Sequence, residues 1–305
     1  MRKEIEQISI EKDEKLKKLI NNLENTGFGA KRLYLACKIY EKMINNPKCT
    51  KFFALAGAMV PAGMQKIIYD FIDCGFVDVL VTTGANLTHD VIESLGFKHL
   101  QGNTAVIGKS DAELYNEKIN RIYDVFMPNE VYESLEDFIV KLGEFDPNMS
   151  VKEFLWFLGS KLPDSYTHSI LKICYKKKIP IFCPAFTDSG LAMQLMFHNK
   201  NINLNHFKDL NEIINIAWDS KYSGVFIVGG GVPKNYIFQA MQFSPNQAQY
   251  AIQITMDRPE PGGLSGAELR EAISWGKLSK SAEYVTVIAD ATIVLPIIFS
   301  YLRSL

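Results

Sequence analysis

No stretch of this chain reaches the roughly 18 apolar residues that a bilayer-spanning helix needs, so no membrane span is expected. Neither sign of charge dominates: 33 Lys and Arg face 34 Asp and Glu, for a net charge of −1. Nucleic-acid and membrane-surface binders carry a basic excess, so neither partner is expected. Cysteine is scarce. Cys37, Cys49, Cys74, Cys174 and Cys183 are odd in number, form no C-x-x-C pair and mostly sit in apolar runs. This argues against a disulfide framework and a zinc site, so no metal is expected and a reducing cytoplasm is the simple reading. The run Met1-Arg-Lys-Glu-Ile-Glu is too charged for a signal peptide, which fits the same compartment. Also missing are a Pro/Gly/Ser-rich linker, an internal repeat, a G-x-G-x-x-G after the first strand and a P-loop Gly-Lys-Ser/Thr. The first two absences make a single domain the expectation. The last two remove the usual nucleotide fingerprints.

What is present is an ordinary globular composition, 47% hydrophobic and 22% charged over 305 residues. Residues 1–24 are dense in Glu and Lys and read as a solvated helix or loosely held arm; residues 25–305 read as one catalytic domain. From Lys51 a strand–loop–helix rhythm sets in. Phe52 to Leu55 is a short apolar strand, and Met64, Ile67, Ile68, Phe71 and Ile72 follow the i, i+3, i+4 pattern of a helix stopping at Gly75. Val77 to Val81, Ile179 to Phe186, Gly224 to Val228, Tyr250 to Ile254 and Val285 to Ala289 are β-branched, apolar runs, as strands covered on both faces require. Helical patterns separate most of them. The expectation is an α/β, Rossmann-like, doubly wound and mostly parallel sheet with helices on both faces.

In such sheets ligands bind beyond the carboxyl ends of the strands. There the chain places Thr82, Thr83 and Gly84, then Thr187, Asp188 and Ser189, then Gly229, Gly230 and Gly231, then Asp290. Hydroxyls, carboxylates and glycines on one edge suit a nucleotide cofactor. The glycine triplet also reads as a plain turn, and Asp188 and Asp290 as helix caps. Ser265 with Glu268 reads as a capping box that starts a helix through Leu269 to Ser274, ended by Gly276. Lys277 then lies just past a helix terminus, beside Trp275. A lysine nucleophile must shed its proton, which an aromatic wall and partial burial favour; the bland reading is a surface lysine.

The runs VDVLVTTGAN (77–86), Asn120-Arg121-Ile122 with Pro128-Asn129-Glu130 and Tyr132, IPIFCPAFTD (179–188), GGGVPK (229–234), EAISWGK (271–277) and ADATIVLP (289–296), in this order, resemble the deoxyhypusine synthase family. They spread over about the last four-fifths of the chain, and the pattern is similar to the branch found among archaea and bacteria. The resemblance implies NAD as cofactor and a homotetramer with sites at subunit contacts. It also implies transfer of an aminobutyl group from a spermidine-like polyamine, through an imine on Lys277, to a lysine of a translation factor. Thr83, Asp188, Gly230, Asp290 and Ala291 match NAD-contacting positions; Gly84 joins them from the strand-end reading. Glu271, Trp275 and Lys277 match the substrate-pocket run.

The chain also departs from the family. Thr88 and His89 stand where eukaryotic members carry adjacent glutamates, Met193 and Leu264 replace aspartates, and Asn235 replaces a histidine. A polyamine leaving water needs carboxylate partners, so these changes imply a rearranged amine pocket. His89, Asn235 and Glu271 are its candidate substrate contacts, with His89 and Glu271 suited to proton transfer. Two other readings stay open: the same chemistry with a free diamine acceptor, giving homospermidine, and an inactive NAD- or polyamine-binding protein.

Overall fold

The computed structural model describes residues 4–102 and 110–305; residues 1–3 of the expected arm lie outside them. In chain order, α1 (Leu16–Asn22) and α2 (Phe28–Asn45) precede β1 (Cys49–Leu55). A turn of π-helix leads into α3 (Gln65–Asp73), followed by β2 (Val79–Thr82) and α4 (Gly84–Ser94). Next come β3 (Leu100–Gln101), α5 (Asp111–Asn116), and the hairpin of β4 (Ile119–Ile122) and β5 (Val125–Pro128). Helices α6 (Glu130–Val140), α7 (Val151–Lys161) and α8 (Ile170–Lys177) lead to β6 (Ile181–Phe182) and α9 (Gly190–His198). The remainder alternates: α10 (His206–Asp219), β7 (Tyr222–Val228), α11 (Gly231–Gln242), β8 (Ala248–Thr255), α12 (Glu271–Ser274), β9 (Leu278–Ile288) and α13 (Ala291–Arg303). Among the described residues no helix is long and apolar enough to cross a membrane.

The chain divides into two compact units that interleave in sequence. One takes residues 1–56, 74–81 and 210–305; the other takes 57–73 and 82–209. The chain passes between them repeatedly, inside elements as well as loops, so no linker composition marks a boundary.

In the first unit the strands run β2-β1-β7-β8-β9, and β1 with β7, β7 with β8 and β8 with β9 pair in parallel. The central strands are buried on both faces: Phe52, Phe53, Ala54 and Leu55 are all at most 1% exposed. That is why they read as continuous apolar runs rather than alternating ones. The register pairs Leu55 with Val228, Val228 with Ile254 and Ile254 with Val287. The carboxyl ends of β1, β7, β8 and β9 therefore share one edge. Helix α2 buries Ala36, Cys37, Ile39, Tyr40 and Met43 and packs chiefly on β9, α13 and β8. Tyr40 stands edge-on to Phe226 at 4.9 Å and donates to the Phe76 carbonyl at 2.9 Å.

The second unit is mainly helical, with α4 packed against α6, α8 and α9. The fully buried Asp90 of α4 fastens α8: its carboxylate accepts from Ile170 N (2.7 Å), Leu171 N (3.0 Å), Ser169 Oγ (2.8 Å) and Gln65 Nε2 (2.6 Å). A buried carboxylate needs that many donors to leave water. Strands β3, β5 and β4 form a small antiparallel sheet, its hairpin turning at Tyr123 with φ of 53°.

The α/β expectation of parallel strands alternating with helices holds, with corrections in detail. The run from Ile179 to Phe186 yields only two residues of strand, because Pro180 and Pro184 remove ladder donors on either side. β9 begins at Leu278, well before Val285, through polar residues whose pattern does not read as a strand. The antiparallel hairpin has no counterpart in the sequence reading. The Ser265–Glu268 capping box does not form: α12 is one turn long and its N-cap is Arg270. Ser265 is instead packed against Gly230, where any side chain would collide with its Cα, and its carbonyl accepts from Gln253 Nε2 at 2.8 Å.

Candidate active site

Lys277 is positioned by backbone on both sides. Gly276 has φ of 67°, Gly276 N donates to the Ile273 carbonyl (3.1 Å) and Lys277 N to the Ala272 carbonyl (3.0 Å). These two bonds are a Schellman motif, and glycine is there because a Cβ disfavours the left-handed conformation. On the other side the Lys277 carbonyl accepts from Ala248 N at 3.2 Å, at the start of β8. The residue thus sits between the end of α12 and the start of β9, with little freedom of its own.

Its side chain lines a cavity of about 270 Å³ together with Glu271, Trp275, Asn235 and Leu264. The structure therefore brings Lys277 together with three of the four expected substrate contacts. The ammonium lies 5.2 Å from the centre of the Trp275 ring, and among the described residues no carboxylate pairs with it. Burial lowers its pKa. An amine in this setting is biased toward the neutral, nucleophilic form.

Sequence reasoning missed Lys234 in the same cavity. It is 5% exposed, and burial, opposed by the charge of Glu271, brings its pKa down to about 8. Its Nζ donates to Gln253 Oε1 (3.0 Å) and to the carbonyls of Leu264 (3.1 Å) and Ala267 (2.6 Å). Gln253 in turn donates to the Gly229 and Ser265 carbonyls at 3.0 and 2.8 Å. This pair clamps the loop between β8 and α12 over the glycine turn. The available signal was a polar residue in each of two apolar settings, Gln253 within YAIQIT and Lys234 before Ile237 and Phe238.

On the shared strand edge, Gly229 (φ 75°) and Gly231 (φ 55°) turn β7 into α11, with Gly230 as N-cap. Asp290 caps α13, its Oδ1 accepting from Thr292 N at 2.8 Å, and Ala291 is the first helical residue. The cap reading of Asp290 is therefore correct, yet its exposed second oxygen stays available. Free N–H groups and the positive ends of α11 and α13 suit phosphates, and a carboxylate suits ribose hydroxyls, so these residues fit a dinucleotide.

The other unit holds the remaining expected contacts. Thr83 caps α4, accepting from Asn86 N at 3.4 Å, and Gly84 opens the helix against Ser189, where a side chain would collide. Asp188 is exposed and does not cap α9; Ser189 does. The Thr88 hydroxyl is already used, donating to the Gly84 carbonyl (2.9 Å) and accepting from Leu191 N (3.1 Å). Met193 is 52% exposed and lines a separate cavity of about 280 Å³ with Phe186 and Met196. His89 is buried on α4, its Nδ1 2.9 Å from His99 Nε2. Among the described residues no cluster of three or more metal-ligating side chains occurs.

Comparison with known proteins identifies the family. The deoxyhypusine synthase family model matches residues 18–302. The chain is 45% identical over 290 residues to "Probable deoxyhypusine synthase 1" of Methanosarcina mazei, covering 94% of this chain and 90% of that protein. It is 43% identical over 294 residues to the protein of the same name from Archaeoglobus fulgidus, covering 96% and 95%. The crystal structure of "a putative deoxyhypusine synthase from Entamoeba histolytica" shares the fold, with a TM-score of 0.68 at 22% identity over 99% of this chain and 97% of that one. A family match over nearly the whole chain, with Lys277 and its neighbours gathered around one cavity, places this chain in the deoxyhypusine synthase family, a family of aminobutyl transferases.

Proposed function

We propose that this chain transfers an aminobutyl group from a spermidine-like polyamine to a lysine of the hypusine-bearing translation factor, using NAD and a covalent imine on Lys277. The observation that carries the reading is Lys277 itself: pinned at its backbone, without a carboxylate partner among the described residues, and facing a cavity walled by Trp275 and Glu271. NAD, when bound, supplies a hydride acceptor for the donor and a hydride donor for the product. Gly230, Asp290 and Ala291 would hold it, with Thr83, Gly84 and Asp188 as further contacts. The neutral Lys277 amine attacks the donor's imine carbon, the C–N bond to the diaminopropane portion breaks, and that diamine leaves with the proton that the Lys277 nitrogen loses. Trp275 offers its ring to the aliphatic chain, and Glu271 its carboxylate to a cationic end. The large exposure of Trp275 (59%) and of Met193, Met196 and Phe197 supports a homotetramer in which subunit contacts cover these faces. The work would be done in the cytoplasm, where the acceptor is found.

The test is to incubate the protein with NAD and spermidine, putrescine or agmatine, trap with borohydride, and map the adduct by mass spectrometry. An aminobutyl adduct on Lys277 is expected, and Lys277→Ala is expected to abolish it while leaving NAD affinity unchanged. A protein that binds NAD yet gives no adduct with any amine would overturn the reading. Supplying the translation factor or a free diamine then identifies the acceptor.

A further inference from the structure

We infer that Glu268 is the carboxylate that recognises the donor's second cationic group, and that Arg270 holds its place until the amine arrives. The inference rests on the transferase reading above and names a specificity residue for the same cavity.

Glu268 lines the cavity of about 270 Å³ that holds Lys277 and Trp275, and among the described residues Glu271 is the one other carboxylate in its wall. Glu271 N donates to the Glu268 carbonyl at 3.0 Å, a turn that brings the two Cα atoms within about 7 Å of each other. The backbone before Glu268 is fixed as well. The carbonyls of Leu264 and Ala267 accept from Lys234 Nζ, and Ala267 N donates to the Gly263 carbonyl at 3.1 Å. Glu268 is thus held in the wall by its main chain, while its side chain is half exposed. Apart from the two lysines, the remaining polar groups are neutral: Asn235 and Gln239 of α11 present amides.

Charge balance makes a single carboxylate insufficient. A triamine that has released the proton of its reacting nitrogen still brings two ammonium groups, and each needs a carboxylate when it leaves water. Glu271 meets one of them, and its field is already shared with the buried Lys234, whose pKa it raises against the effect of burial. Leu264, earlier in the same loop, has no charge to offer where the resemblance sets an aspartate. Glu268 supplies that charge from the same loop. A diamine that has released one proton brings a single ammonium, which Glu271 satisfies alone. The second carboxylate therefore distinguishes triamines from diamines.

Glu268 Oε2 accepts from Arg270 Nε at 2.7 Å and from Nη2 at 2.6 Å, and among the described residues Oε1 has no partner. Arg270 does not line the Lys277 cavity. It stands in the wall of a larger cavity of about 1110 Å³, and Glu268 lines both. The guanidinium therefore meets the carboxylate from the neighbouring cavity. Both side chains are at least half exposed, so water screens the pair and it exchanges readily. An ammonium entering beside Lys277 takes the free Oε1 or displaces the guanidinium. In either case Arg270 competes with it, because a cation already on the carboxylate weakens the attraction left for another.

The test titrates protein loaded with NADH, which cannot accept a hydride, with spermidine and with putrescine in a calorimeter. Glu268→Gln should weaken spermidine binding about tenfold, the worth of one charge-assisted hydrogen bond, and leave putrescine binding within about twofold. Arg270→Ala should tighten spermidine binding by roughly two- to fivefold, and the gain should vanish in the double variant, which has no carboxylate to release. A role confined to local structure would move both variants the same way and both amines alike. Unchanged spermidine binding in Glu268→Gln overturns the inference, and Arg270→Ala binding no tighter than wild type overturns Arg270's part in it. In the borohydride assay Glu268→Gln should raise the spermidine concentration that half-saturates adduct formation more than it lowers the maximal rate. A wild-type protein that shows these binding differences yet gives no adduct sinks the transferase reading and leaves the amine seat standing. One that binds neither amine overturns the seat.

Discussion

At the scale of single residues, the buried imidazole of His89 ties stability to pH. Its pKa is lowered from 6.5 to about 4, so between those values the unfolded chain binds more protons than the folded one. Stability is therefore complete above about pH 6.5 and is lost as the pH falls toward 4, by at most about 3 kcal/mol. Glu93, held near 2, contributes stability above 4.5 that is lost only at lower pH, so the two groups act in different windows. Calorimetric Tm values at pH 7 and pH 5 should differ, and the difference should shrink in His89→Gln; an unchanged difference would assign the effect elsewhere. His89 could be singled out in the sequence because the resemblance sets it where eukaryotic members of the family carry a glutamate. Its partners could not, since Glu93, which accepts from His99, is a turn further along α4 and His99 lies beyond the helix end, where periodicity carries no information. Lys234 escaped notice for a different reason: its three acceptors are an amide and two carbonyls, and carbonyls leave no mark on a sequence.

At the scale of elements, the segment carrying Lys277 depends on Gly276 being able to adopt φ of 67°. Gly276→Ala should cost about 1 kcal/mol from the left-handed conformation alone, visible as a Tm lower by roughly 2–4 °C. It should also slow adduct formation more than it weakens amine binding, because the strain acts on the placement of Nζ; an unaffected rate would mean the Schellman motif does not position the amine. The end of this helix was legible, since glycine after an apolar turn is a strong stop signal. Its beginning was not. A capping box needs a free Ser side chain and backbone, and Ser265 is committed to Gly230 and Gln253, a tertiary demand that overrides local pattern. The same contrast explains β6, shortened by prolines that are visible in the sequence, and β9, lengthened by pairing with β8 that is not.

At the scale of the whole molecule, alternation of apolar runs with amphipathic ones sufficed to read a parallel α/β fold, because each signal is local. The interleaving of two compact units was invisible for the same reason: nothing near Ala56 or Asp209 differs in composition from what surrounds it. That interleaving has a consequence for synthesis on the ribosome, where the chain appears from one end. The unit built from 57–73 and 82–209 is complete in sequence before Tyr222 emerges, whereas β1, made early, has to wait for β7 before it gains a parallel neighbour on that side. Folding should therefore begin in the middle of the chain and reach the unit that holds both ends of the chain last. Ribosome-bound chains whose emerged part ends before Tyr222 should resist protease across 110–209 and be cut within or near β1. Protection of β1 at that length would show that the first unit can start without its later strands. Until β7 arrives, Phe52, Phe53 and Leu55 form an exposed apolar edge, and that interval is when this chain most needs a chaperone.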